Sequence, residues 1–212
     1  MADTGFWNEF YEHRAAVSYP SPFAVFAREH LLHDASSILE LGPGNGRDAA
    51  FFFEHGHQLV GVDQSSQAIE LCRERVEGAR NPERVRFEVG DFTRLDPADF
   101  PGIDTVYSRF TLHSIDDEAE ERLVQSVWNM LPSGGQFLIE ARTILDPLYG
   151  KGQEVGRHAF VTDHFRRHID AQAFIHQEID RGYLLRFFHE GNGLAEFQGE
   201  DPVVMRAALI KP

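Results

Sequence analysis

The chain is poor in cysteine, in positive charge and in long apolar runs. One of its 212 residues is cysteine. Cys72 therefore has no partner for an internal disulfide, and no cysteine pair exists to hold a structural zinc. Such usage fits a reducing compartment, and a cytoplasmic location is expected. Twenty Lys and Arg face 34 Asp and Glu, a formal net charge of −14. So acidic a chain lacks the basic surface that releases counterions from nucleic acid, and no nucleic-acid partner is expected. No apolar stretch approaches the roughly 18 residues of a membrane span. The opening MADTGFWNEFYEHR lacks both the basic head and the apolar core of a signal peptide, so neither export nor membrane insertion is expected. Internal repeats and low-complexity tracts are missing too, which excludes solenoids and propellers.

What remains is an ordinary globular composition, 42% hydrophobic and 25% charged, long enough for one core and read as one domain. Short apolar runs at residues 37–41, 58–62, 85–89, 105–108 and 136–141 have the length of buried parallel strands. Helical stretches separate them. Residues 47–55 stop at Gly56, residues 66–80 put Ile69, Cys72 and Val76 on one face ahead of Pro82, and residues 117–130 open with Asp117 and Glu120 at capping-box spacing. Strict alternation implies a doubly wound α/β sheet with ligands at the strand ends. The rhythm then changes to a polar loop at 142–157, a helix near 170–180 and two runs, 183–190 and 203–210, expected to pair antiparallel. The aromatic-rich first 30 residues are expected to be mostly helical and to lie over the sheet as a lid.

The stretch ILELGPGNGRDA follows the first run with Gly42, Gly44 and Gly46. Glycines there let the backbone turn tightly and approach a ligand at the mouth of the next helix. The dinucleotide fingerprint wants glycine where Arg47 stands, which weakens a nicotinamide or flavin reading. Asp63 ends the second run, placed for a ribose diol. Asp91 ends the third, placed for an adenine amine with Phe92 against the ring. Glu40, just before the loop, suits a ligand ammonium. Together they call for an adenosine bearing a zwitterionic amino-acid tail, since a pyrophosphate would be repelled by so many carboxylates.

Through ELGPGNG, GVDQS, GDF and LPSGGQFLIE the sequence resembles the class I S-adenosylmethionine-dependent methyltransferases over residues 36–142. Residues 6–24 and YSRFTLHSI further resemble the small bacterial branch with tellurite-resistance and thiopurine-type enzymes. The resemblance implies a Rossmann-like seven-stranded sheet of order 3-2-1-4-5-7-6 with the last strand antiparallel. Residues 1–35 would form the helical lid, 36–142 the cofactor core, and 143–212 a substrate loop and C-terminal hairpin. It implies S-adenosyl-L-methionine as cofactor and S-adenosyl-L-homocysteine as product. Glu40, Gly42, Gly44 and Gly46 would frame the methionine moiety, Asp63 the ribose, and Asp91 with Phe92 the adenine, with Gln64 a further cofactor residue. Ser108, Arg14 and Trp7 join the cofactor residues: Arg14 either holds the cofactor carboxylate or sits in solvent on an amphipathic helix, and Trp7 with Tyr11 either closes over the cofactor or fills the core at helical spacing.

Methyl transfer from a sulfonium is an in-line displacement that needs a positioned nucleophile and exclusion of water. The catalytic candidates are His113 as general base, Arg109 and Tyr11; the alternative for His113 is a packed histidine bonded to a backbone carbonyl. Tyr107 is a further pocket candidate, and Tyr19, Arg142, Tyr149, Arg166 and Arg167 are the substrate candidates. The local excess of Arg and His over residues 142–168 suggests an anionic group on the acceptor, although these residues could instead pair with the acidic segment 116–121. No metal is expected, for no magnesium-binding Asp/Asn pair stands out, and no nucleobase-methylator motif is seen. The reading is a methyltransferase acting on an oxygen of a small anionic or polar metabolite, as monomer or homodimer. A thiol, selenol or tellurite methylator and a non-catalytic cofactor-binding scaffold are the alternatives.

Overall fold

Five strands, β1 (Ser37–Leu41), β2 (Gln58–Asp63), β3 (Val85–Val89), β4 (Thr105–Arg109) and β5 (Gln136–Arg142), run parallel at the centre of a computed structural model that describes residues 4–13 and 17–212. Most of their side chains are buried on both faces, which is why the sequence shows continuous apolar runs rather than alternation. The period of two still decides which layer each residue joins. Ile38, Tyr107 and Leu138 face α2 (Pro22–His30), α3 (Arg47–Glu54) and α4 (Ser66–Arg75). Leu39, Val106, Phe137 and Ile139 face α5 (Asp117–Met130) and α6 (Ala171–Arg181).

The sheet order is β3-β2-β1-β4-β5-β10-β9, with β9 (Leu184–Gly191) and β10 (Val204–Ile210) completing seven strands. β10 alone runs against its neighbours β5 and β9. Counted within this sheet, that is the expected order 3-2-1-4-5-7-6 with the last strand antiparallel. The amino-terminal segment is helical as expected, in α1 (Thr4–His13) and α2.

Three local expectations are corrected. Helix α4 ends at Arg75, not Arg80, with Gly78 taking left-handed backbone three residues later, four residues ahead of Pro82. Asp117 and Glu120 make no capping box at α5: Asp116 is the N-cap and accepts from Ala119 N at 2.9 Å. The stretch after β5 is no continuous loop. It folds into a small antiparallel sheet of β6 (Gln153–Gly156), β7 (Ala159–Val161) and β8 (Phe165–Arg167), whose solvent-facing polar residues hide the strand pattern.

Arg167 fastens this small sheet to the main body. Buried at 6% exposure, it donates Nε to the Ile115 carbonyl at 3.0 Å and Nη1 to Asp117 at 2.7 Å, and it reaches Glu120 and the Leu112 carbonyl through Nη2. The two acids expected to cap α5 are held by this one guanidinium. Removing it strands Glu120, whose carboxyl burial already pushes up while Arg167 pulls it down. Arg167→Met should therefore lower stability by about 3 kcal/mol in urea unfolding, whereas a loss under about 1 kcal/mol would show the clamp to be incidental.

Candidate active site

Strand β1 delivers the chain into a loop that only glycine makes comfortably. Gly42, Gly44 and Gly46 have φ of 61°, 57° and 73°. A Cβ on Gly42 would stand 2.6 Å from Thr111 Cγ2, and one on Gly44 2.5 Å from Tyr11 Oη. The loop is pinned from the end of β2. Gly42 N donates to the Val62 carbonyl at 2.8 Å, and Gly44 N donates to Asp63 Oδ2 at 3.1 Å. Asp63 Oδ1 accepts from Ser65 N at 2.9 Å. Burial raises the Asp63 carboxyl pKa, and the backbone N–H bonds oppose that. Gly46 has a different task, as the left-handed N-cap of α3, where a Cβ would stand 2.9 Å from Cys72.

Beside the loop lies a cavity of about 530 Å³ at the carboxyl ends of β1, β2, β4 and β5. Glu40 lines it at 3% exposure, and its Oε2 has no hydrogen-bond partner among the described residues. Burial, followed by Asp48, pushes its carboxyl well above the usual range, with Arg109 pulling the other way. Asp48 is saturated instead: it accepts from Ser21 N and Ser21 Oγ, both at 2.7 Å, and from Tyr107 Oη at 3.0 Å. That bond keeps Tyr107 inside the sheet layer and out of the cavity.

Strand β4 ends in Arg109, whose Nε lies 2.9 Å from Glu140; the other Glu140 oxygen accepts from Arg206 at 2.7 Å. Phe110 follows at φ 59°, a conformation bulky side chains rarely adopt. Its ring lies 4.4 Å from the Arg109 guanidinium and 5.2 Å from the His113 ring. His113 is 8% exposed, and its Nδ1 has no partner among the described residues, so the expected alternative bond from that nitrogen to a carbonyl is not made. Burial, then Arg142, holds its pKa well below the ordinary histidine value. It is neutral near pH 7.

Helix α1 closes one side. Tyr11 reaches Gly44, Asn8 Oδ1 accepts from Ser65 Oγ at 2.6 Å, and the Phe6 ring stacks on His164 at 4.6 Å. Trp7, Gln64 and Phe92 also line the cavity. Arg142 lines it but is paired with Asp146 at 3.1 Å and Glu200 at 2.9 Å, and Arg166 donates to Thr162 at 3.1 Å.

Other residues expected at the site lie elsewhere, each for a local reason. Ser108 is buried against the Thr111 hydroxyl. Asp91 caps the turn at Phe92 and stands outside the lining, where its Oδ1 accepts from Thr93 N at 2.9 Å and Gln64 Nε2 at 3.1 Å. Tyr19 is 61% exposed, Tyr149 bonds His158 at 2.8 Å, and Arg167 is the structural clamp. Arg14 lies outside the described residues. Sequence reasoning passed over Arg47, Phe110 and the segment carrying Phe197, Glu200 and Pro202, all of which line the cavity. Arg47 stood in plain view after the glycines, whereas the Phe197 segment lies in an aperiodic loop with no signal.

Residues 38–135 match the family described as a methyltransferase domain. An uncharacterized methyltransferase of Bacillus cytotoxicus is 24% identical over 135 residues, 61% of this chain and 59% of that relative, so the matched stretch spans little over half of the relative. A Methanosarcina mazei methyltransferase structure superposes with a TM-score of 0.72 at 17% identity, covering 87% of this chain and 96% of that one. The Burkholderia thailandensis 1,6-didemethyltoxoflavin-N1-methyltransferase, solved with 1,6-didemethyltoxoflavin and S-adenosylhomocysteine, superposes at 0.66 with 19% identity, covering 90% and 76%. The glycine loop, the acids at the ends of β1 and β2 and the first five strands of the 3-2-1-4-5-7-6 sheet all fall within or beside the stretch that matches the methyltransferase domain, and the sheet order is that of the methyltransferase structures it superposes on.

Proposed function

We propose that the chain transfers a methyl group from S-adenosylmethionine to an oxygen of a small anionic metabolite, residues 36–142 holding the cofactor and residues 143–212 shaping the acceptor side. The observation that carries this is the unpartnered, buried Glu40 Oε2 beside the glycine loop. A buried acceptor left without a donor costs about 1–3 kcal/mol, which an ammonium donating to it recovers. The residues fit the rest of the cofactor: Asp63 keeps lone pairs for a ribose diol, Gln64 stands beside it, and Phe92 offers its face to the adenine. Asp91, held in its own turn by Thr93 and Gln64, stands outside the lining and is not assigned to the adenine.

The cofactor supplies an electrophilic methyl on a cationic sulfur. Glu40 and Asp63 would hold it for an acceptor oxygen to take that methyl, the C–S bonding pair staying with the sulfur. This chain's part is positioning and dryness, with α1 and its Trp7 and Tyr11 covering the reacting region. His113 Nδ1 is the free atom for an acceptor proton, but a histidine whose charged form is disfavoured is a weak base. An acceptor already ionised needs none, which favours an anion. A small acceptor also accords with the Burkholderia structural neighbour, whose structure contains 1,6-didemethyltoxoflavin.

Three outcomes test this. Labelled S-adenosylmethionine incubated with the chain and cell extract should label a low-mass product; label in macromolecules alone would contradict the small acceptor. Asp63→Ala should weaken adenosylhomocysteine binding about tenfold to a hundredfold by calorimetry, on the scale of one or two lost charged hydrogen bonds, and unchanged affinity would remove the ribose assignment. The His113 imidazole should titrate by NMR with its midpoint displaced to lower pH, because burial and neighbouring arginines disfavour the added charge; a midpoint at or above 6.5 would contradict a neutral His113.

A further inference from the structure

Among the described residues four arginines line the cavity: Arg47, Arg109, Arg142 and Arg166. Three have hydrogen-bonded or ion-paired partners close by. Arg109 has Glu140 at 2.9 Å, Arg142 has Asp146 and Glu200, and Arg166 has Thr162 at 3.1 Å and Asp163 at 3.4 Å. Arg47 differs. Among the described residues its guanidinium makes no hydrogen bond, and its nearest carboxylate, Asp48, is 3.9 Å away and already accepts three bonds from Ser21 and Tyr107. The Arg47 side chain is only 13% exposed, so water compensates it poorly. A cation in that position is stabilised when a counterion arrives.

Resting on the methyltransferase reading above, we propose that Arg47 anchors the acceptor, and that the acceptor is a flat, conjugated monocarboxylate. The single charge follows from the pairing. Arg109, Arg142 and Arg166 each have a carboxylate within 3.4 Å, Arg109 sharing Glu140 with Arg206, whereas Arg47 has none at hydrogen-bonding distance, and a phosphate dianion would bring surplus charge next to Asp48. The carboxylate follows from shape, since a planar guanidinium fork binds a planar carboxylate through two parallel bonds. The flat body follows from the ring faces bordering the cations. Arg47 lies over the Phe197 ring at 5.8 Å, and Arg109 over the Phe110 ring at 4.4 Å, with Phe110 held in left-handed backbone to present it. Such faces suit a conjugated ligand better than a hydrated sugar.

Calorimetry on the full chain saturated with adenosylhomocysteine tests this with three probes: 2-naphthoate, uncharged 2-naphthamide and inorganic phosphate. Naphthoate should bind at least about tenfold more tightly than the amide or phosphate, and Arg47→Met should remove that preference while leaving adenosylhomocysteine affinity unchanged. Arg47→Lys, which keeps the charge but not the fork, should show an intermediate loss and guards against a methionine variant that fails to fold. Equal binding of naphthoate and naphthamide, or tighter binding of phosphate, would overturn the proposal. So would a fall in adenosylhomocysteine affinity in Arg47→Met, which would assign Arg47 to the cofactor's amino-acid tail instead. Failure of the parent reading shows separately, as no adenosylhomocysteine binding to the unmodified chain; the naphthoate comparison is then made on the bare protein.

Discussion

The hydrogen bond from Gly44 N to the Asp63 carboxylate ties together everything the site needs. It joins the end of β2 to the loop leaving β1, and a backbone N–H on a buried carboxylate is among the stronger bonds available, worth about 1.5–3 kcal/mol. Held this way, the loop passes through three left-handed residues and starts α3 at Arg47. Glu40 is left at the floor of a cavity rather than under a side chain. The acid that would grip a ribose thus also builds the groove the ribose would occupy.

Charge pairing then separates scaffold from site. Glu140 serves both Arg109 and Arg206, Asp48 serves Ser21 and Tyr107, and Arg167 gathers Asp117 and Glu120. All of these groups but the exposed Asp117 are buried or half-buried, and each has its counterpart, as burial of charge demands. Among the described residues, Glu40 Oε2 and the Arg47 guanidinium have none at hydrogen-bonding distance. Both border the same cavity, so a charged ligand that enters it meets two groups without partners.

The parallel core was legible because its strands are buried on both faces and its helices carry their own stop signals. The loop with Glu40 and Asp63 was legible for a similar reason: glycine spacing and strand-terminal acids are local. What escaped the sequence was decided by partners distant in the chain. Asp117 and Glu120 had capping-box spacing, yet Arg167 claims both, nearly 50 residues on. Arg166 and Arg167 look equivalent as neighbours, but side chains alternate along β8, so Arg166 meets the cavity while Arg167 turns to the carbonyls of Leu112 and Ile115. The second small sheet stayed hidden because solvent-exposed edge strands such as β6 carry no apolar period.

The most direct measurement is a crystal structure with S-adenosylhomocysteine bound. The ligand's ammonium should lie within hydrogen-bonding distance of Glu40 Oε2 and its ribose hydroxyls within that distance of Asp63, with the Gly44 N to Asp63 bond retained. A ligand bound elsewhere, leaving Glu40 Oε2 still without a donor, would contradict the assignment of this cavity.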